Sequence, residues 1–282
     1  MGIFGTGTPR RSQSADAVIT GAGSGIGAAF AVELAHRGGR IVCSDIDEGA
    51  ARKTAAQIVA SDGQAMALRC DVSKIDEVHH LADHAQSWFE GSPTLVINNA
   101  GIAAGGAFIG DTELTDWTLV LNINLWGPIH GCHVFAPILR EAGRPAGIIN
   151  VASAAAFGSA SRMAAYNVSK AGTLSLSETL AAELAGTGVN VTVLCPTFVK
   201  TNILKTPPDS AAITQQSAQL ANHLMRWTGF SAERVARTCL DTLDRGGLYC
   251  MPQPEARLGW GIKRFTPTAY TRAVGLATRV ST

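Results

Sequence analysis

Apolar residues fall into short continuous runs, separated by longer stretches in which they recur every three to four positions. The runs lie at 16–20 (DAVIT), 40–44 (RIVCS), 65–70 (AMALRC), 94–98 (TLVIN), 147–151 (GIINV), 189–195 (VNVTVLC) and 247–251. Rich in Val and Ile and apolar on both faces, they predict parallel strands buried between two layers. The stretches near 26–37, 47–61, 74–90, 115–140, 165–185 and 231–245 predict helices. Asp47 and Ser231 stand where N-caps belong, and Gly38, Gly63 and Gly246 stand where helices stop. Strand–helix alternation of this kind predicts the α/β class: one doubly wound parallel sheet of about seven strands, with right-handed crossovers and helices on both faces.

Composition supports a well-filled core. Of 282 residues 46% are apolar and 16% charged, which excludes the charge-rich, apolar-poor class of disordered chains. With 23 basic and 22 acidic side chains the net charge is +1, so no overall excess attracts nucleic acid. The balance is uneven. Residues 1–255 carry a net −4, whereas 256–282 hold Arg257, Lys263, Arg264, Arg272 and Arg279 without one acid. Six cysteines show no metal-ligand spacing and read as buried thiols of a reducing compartment, and no metal site is expected. The start, MGIFGTGTPRRSQS, lacks a secretory apolar region, which leaves a cytoplasmic location as the expectation. Trp117–Leu139 is free of Asp, Glu, Lys and Arg, but Asn122, Asn124, His130, His133, Pro128 and Pro137 make it a helix buried in protein rather than lipid.

In an open parallel sheet, ligands bind beyond the carboxyl ends of the strands, so the residues after each strand carry the chemistry. After the first comes Thr20-Gly21-Ala22-Gly23-Ser24-Gly25-Ile26-Gly27, leading into a helix. Glycines there permit a tight turn and let backbone N–H groups reach a pyrophosphate at the helix N-terminus. Asp45 closes the second strand, 18 residues after Gly27. Its carboxylate would accept both hydroxyls of an adenosine ribose and repel a 2′-phosphate, which favours NAD over NADP.

From about residue 15 to 250 the chain resembles the short-chain dehydrogenase/reductase family. The motifs recur in order: the TGxxxGIG turn, Cys70-Asp71-Val72-Ser73, Asn98-Asn99-Ala100-Gly101, Ile123-Asn124-Leu125-Trp126-Gly127, Ser153, and Tyr166-Asn167-Val168-Ser169-Lys170. The resemblance implies a Rossmann-like fold and a catalytic set of Asn124, Ser153, Tyr166 and Lys170. It implies a cofactor site made by Gly21, Ser24, Gly25, Ile26, Gly27, Asp45, Asp71, Val72, Asn99, Tyr166, Lys170, Val199 and Thr201. Asp71 would contact adenine, Lys170 the nicotinamide ribose, and Asn124 a water that carries the proton onward. One departure stands out: Thr197 replaces the Gly of the family's P-G-x-V-x-T beside the nicotinamide, adding a side chain and losing access to positive φ.

Four residues apart on a helix, Tyr166 and Lys170 share one face. An ammonium about 4 Å from a phenol, at an effective dielectric of 20, favours the phenolate by roughly 4 kcal/mol, which would bring the tyrosine into the working range of a base. Ser153 would hydrogen-bond the substrate oxygen as charge develops on it. The expected activity is hydride transfer between NAD(H) and a secondary alcohol or ketone, with an NADPH-dependent carbonyl reductase or a non-catalytic NAD-binding regulator as alternatives. The segment 202–230 is apolar around Pro207-Pro208 and reads as a lid over a lipophilic substrate.

The domain reading is a flexible 1–14, a dinucleotide-binding catalytic domain over 15–251 and a basic extension over 252–282. Residues 268–280 could form one short helix, although Gly261, Pro267 and Gly275 make a poor membrane anchor. The charge-poor helices at 115–140 and 165–185, which form the subunit interface in the family, point to a homodimer or homotetramer.

Overall fold

In the computed structural model, which describes residues 10–199 and 230–279, seven parallel strands form one sheet in the order β3-β2-β1-β4-β5-β6-β7. The strands are β1 (Asp16–Thr20), β2 (Arg40–Asp45), β3 (Gln64–Arg69), β4 (Leu95–Asn98), β5 (Ala146–Val151), β6 (Val189–Leu194) and β7 (Tyr249–Cys250). Strand order reverses between β1 and β4, so the crevice expected to take a ligand opens beyond Thr20 and Asn98.

Alternate strand residues serve opposite layers. Ile19, Ile41, Ile97 and Ile149 pack against α1 (Gly25–His36), α2 (Glu48–Val59) and α8 (Ala232–Asp244). Val18, Val42, Val96 and Ile148 pack against α3 (Ile75–Phe89), α5 (Gly127–Glu141) and α7 (Ala164–Glu183). Burial on both faces is why these strands read as unbroken apolar runs. β3 departs from that expectation: as the edge strand it buries Met66 and Leu68 only partly. Asp47 and Ser231 cap α2 and α8 as expected, accepting from Ala50 N and Arg234 N.

The helix expected over 115–140 is three pieces: α4 (Leu114–Leu121), a π-helical turn over Asn122–Trp126, and α5. The cause is in the sequence. Pro128 has no N–H with which to bond the carbonyl four residues earlier, that of Asn124, so the ladder widens there. Thr173 Oγ1 donates to that carbonyl instead, at 3.0 Å.

The basic extension forms two helices, α9 (Pro254–Phe265) and α10 (Pro267–Arg279), the second where a short helix is expected. Each opens on a proline, whose missing N–H is no loss in the first turn. Trp260 ties α9 to the body, 5.1 Å edge-on from Phe157 and 5.5 Å from Tyr249. Among the described residues, no helix is long and apolar enough to cross a membrane, and no group of three metal-binding side chains assembles. All six cysteines are free and buried.

Candidate active site

The glycine turn after β1 is held open by its own backbone. Gly21 and Gly25 adopt φ of +66° and +56°. A Cβ on Gly27 would lie 2.1 Å from the Gly21 carbonyl oxygen, so only glycine allows this close a turn. The first turn of α1 carries no acidic residue, and Ser24 at its N-cap makes no side-chain cap bond. The helix therefore presents N–H groups and the positive end of its dipole to an incoming anion, as a pyrophosphate requires. Asn99, expected as a cofactor contact, braces the turn: its Nδ2 donates to Thr20 O at 2.9 Å and Gly21 O at 3.0 Å.

Asp45 sits at the carboxyl end of β2, beside the turn. Its Oδ2 accepts from Gly23 N at 2.9 Å and its Oδ1 from Asp47 N at 3.0 Å. Arg52 and Arg69, cations of the neighbouring α2 and β3, are engaged by Glu48 and Glu77 at 2.7 and 2.8 Å. Asp71 Oδ1 accepts from both the N–H and the hydroxyl of Ser73, which fixes the bend after β3. Val72 is buried, with its carbonyl on His130 Nδ1 and its side chain in the space that Gly127 leaves open.

Ser153, Tyr166 and Lys170 converge beyond β5. Ser153 Oγ accepts from Ala155 N at 3.1 Å and donates to Pro196 O at 3.4 Å. Lys170 is only 3% exposed, and its ammonium donates to Val151 O at 2.9 Å. Among the described residues no carboxylate pairs with it, and burial pushes its ammonium down to about 8. A buried cation without a counter-ion is the mark of a functional rather than a structural lysine.

The tyrosine departs from expectation. Burial pushes the Tyr166 phenol above its ordinary value, against a smaller opposing effect of its hydrogen bond to Ser153. Lys170 Nζ stands 5.7 Å from the centre of the Tyr166 ring, and its own charge is weakened by burial. In the protein alone, desolvation outweighs the ammonium.

Asn124 is fully buried within the π-helical turn. Its Oδ1 accepts from Ile102 N at 2.8 Å and its Nδ2 donates to Ile102 O at 2.9 Å, locking the loop after β4. Gly101 lies between it and Lys170: a Cβ there would be 3.1 Å from Asn124 Oδ1 and 3.4 Å from Lys170 Nζ. Val199 is buried beyond β6. Thr201 lies outside the described residues, as does the expected lid except for Phe230.

Two features escape a reading of the sequence. Asn98 Nδ2 donates to Asn150 Oδ1 at 2.8 Å, and Asn150 Nδ2 donates to Ser177 Oγ at 3.0 Å, a buried polar chain across β4, β5 and α7. The signal is present: both asparagines interrupt otherwise apolar strands. Thr197 is the second. It does not adopt positive φ. Its N–H donates to Gln253 Oε1 at 3.2 Å and its hydroxyl to Glu255 Oε1 at 2.8 Å, pinning the loop after β6 to the first turn of α9.

The short chain dehydrogenase family profile matches residues 15–211. The chain is 36% identical over 257 residues to "Probable oxidoreductase EphD" of Mycobacterium tuberculosis, covering 89% of this chain but 43% of that one. It thus spans less than half the length of the mycobacterial relatives it matches. It is 34% identical to a 1-deoxy-11-beta-hydroxypentalenate dehydrogenase of Streptomyces exfoliatus, with 87% and 86% of the two chains covered. A crystal structure of a short chain dehydrogenase/reductase from Burkholderia phymatum in complex with NAD superposes with a TM-score of 0.83 at 34% identity, covering 90% of this chain and 94% of that one.

Proposed function

The chain belongs to the short-chain dehydrogenase/reductase family, and from that premise we propose that it is an NAD-dependent oxidoreductase of lipophilic secondary alcohols and the matching ketones. The observation that carries this reading is the buried Lys170, without a carboxylate partner among the described residues, one helical turn from Tyr166, which hydrogen-bonds Ser153.

The cofactor's nicotinamide supplies the hydride acceptor or donor. Its site fits the residues present: N–H groups of Gly21, Ser24, Gly25, Ile26 and Gly27 for the pyrophosphate, Asp45 for the adenosine ribose, and Asp71 and Val72 for adenine. Tyr166 and Lys170 take the nicotinamide ribose, and Val199 and Thr201 the carboxamide side. Ser153 Oγ donates to the substrate oxygen as charge builds there. Tyr166 removes the hydroxyl proton in oxidation and returns it in reduction. Lys170 stabilises the phenolate. Asn124 has both side-chain ends engaged by Ile102, so a relay water rests on the second lone pair of its main-chain oxygen. The substrate side is apolar, with Ile102, Ala104, Ala155 and Met163 packed around Tyr166. That lining suits a lipophilic skeleton.

Asp45 supports NAD over NADP. A 2′-phosphate would approach its carboxylate, and the arginines of the neighbouring α2 and β3, Arg52 and Arg69, are already engaged by Glu48 and Glu77. The wild type is expected to use NAD at least tenfold better than NADP, by kcat/KM. Asp45→Asn, which removes the charge and keeps one acceptor, should move that ratio toward NADP by about tenfold to hundredfold. An unchanged ratio would refute the assignment.

The same reading extends to assembly. The outer face of α7 presents Val168, Ala171, Ser175 and Thr179, small and uncharged, and Trp126 stands half exposed at the start of α5. Such faces suit close packing on a second copy, giving a homodimer or homotetramer. Sedimentation at the mass of one chain would count against it.

A further inference from the structure

Two loops border the substrate side of Tyr166, residues 101–113 after β4 and 152–163 after β5, and they are stitched together. Gly106 N–H donates to Arg162 O at 2.7 Å. A Cβ on Gly105 would lie 2.9 Å from Met163 Cγ and 3.0 Å from Arg162 O. Arg162 itself sits at φ +61°, a left-handed conformation that is strained for an L residue. The backbone clasp needs only its carbonyl, and glycine or asparagine would hold that conformation with less strain.

The side chain is what an arginine adds. Its guanidinium carbon lies 4.6 Å from the centre of the Phe108 ring, and Phe108 is itself half exposed. Stacking engages the flat face of the cation and leaves its edge donors free. Among the described residues no carboxylate pairs with Arg162 and no acceptor takes its N–H groups. It is also the one basic residue in either loop. A half-buried guanidinium held rigid on an aromatic face, with its edge unfilled, is a preorganised fork for a planar or tetrahedral oxyanion.

We propose that Arg162 seats an anionic group, a carboxylate or a phosphate, at the end of the substrate remote from the reacting carbinol. Arg162 precedes Tyr166 by four residues. The Cα atoms of the two lie between about 6 Å, one turn of helix, and about 14 Å, four extended residues, apart, and each side chain adds its own reach. An apolar skeleton of that length, with an alcohol at one end and an anion at the other, matches the apolar lining between them. The inference rests on the alcohol-oxidoreductase reading above and names the substrate class within it.

The test compares acids with their neutral partners, following NADH. Lithocholate, ricinoleate and para-(1-hydroxyethyl)benzoate are each paired with the methyl ester, and para-(1-hydroxyethyl)phenyl phosphate with its phenol. Wild type, Arg162→Met and Arg162→Lys are assayed. The wild type should show a KM at least tenfold lower for the charged member of a pair. Arg162→Met should raise that KM by tenfold to a hundredfold, leave kcat within about twofold, and leave the neutral partner unchanged. Arg162→Lys should recover part of the loss. Preference confined to the carboxylate pairs or to the phosphate pair identifies the anion. Equal KM within every wild-type pair, or an equal loss on both members in Arg162→Met, overturns the proposal, the second outcome marking a loop clasp alone. Turnover of neutral alcohols without any benefit from Arg162 sinks this inference and spares the parent reading. No turnover of any compound removes both.

Discussion

Tyr166→Phe is expected to lower turnover by about a hundredfold to ten-thousandfold while NAD still binds, a split that separates acid–base chemistry from cofactor affinity. Phenylalanine keeps the ring that packs with Ala104, Val120 and Ala165 and removes only the hydroxyl. The fold and the pocket therefore survive the substitution. Burial holds the Tyr166 phenol above its ordinary value in the protein alone, so the phenolate needed for oxidation gains population as pH rises. Alcohol oxidation by the wild type should climb toward alkaline pH and ketone reduction should decline. The residual activity of Tyr166→Phe should lack that dependence. Steady-state rates across pH, with NAD affinity from fluorescence titration, measure both. A variant with more than a tenth of wild-type turnover would remove Tyr166 from the chemistry.

Lys170→Met should abolish activity to a similar degree and yet stabilise the protein at neutral pH. Burial lowers the Lys170 ammonium to about 8 from an ordinary 10.5, so the folded state gives up a proton that the unfolded chain keeps. Stability therefore rises with pH between about 8 and 10.5. Below about 8 the protein carries the whole penalty, about 3 kcal/mol at the usual conversion. Methionine retains the apolar stem and removes the charge, although Val151 O loses its donor at a cost of about 1 kcal/mol. The variant should be more stable by about 2 kcal/mol at pH 7, with the gain fading toward pH 10. Urea unfolding at both pH values reads the difference. A Lys170→Met protein several kcal/mol weaker at pH 7 would show that the cation stabilises the fold, and the functional argument from its burial would fail.

The sheet and most helices were legible because their causes are local. Val- and Ile-rich runs bury both faces, and Asp47 and Ser231 cap where their side chains reach the backbone. The edge position of β3 is not legible in its run, since it depends on strand order. The break at Asn122–Trp126 had a visible cause in Pro128, but its consequence, a carbonyl handed to Thr173, needs α7 beside it. The same holds within the site. Tyr166, Lys170 and Ser153 could be found by spacing. The rise of the Tyr166 phenol could not, because it depends on the depth at which the fold sets the pair. Asn99 and Asn124 bond backbone, at Thr20, Gly21 and Ile102, which sequence spacing does not disclose. Thr197 stands in place of a glycine, and the bonds it makes depend on Gln253 and Glu255, more than fifty residues later.

The central step of the proposed reaction is transfer of a hydride from a carbinol carbon in this pocket. Its most direct test is to oxidise a lipophilic secondary alcohol deuterated at that carbon and weigh the reduced cofactor by mass spectrometry. The expected result is NADH heavier by one deuterium from the wild type and none from Tyr166→Phe on the same timescale. Unlabelled NADH, or labelled NADH formed equally by the variant, would contradict it.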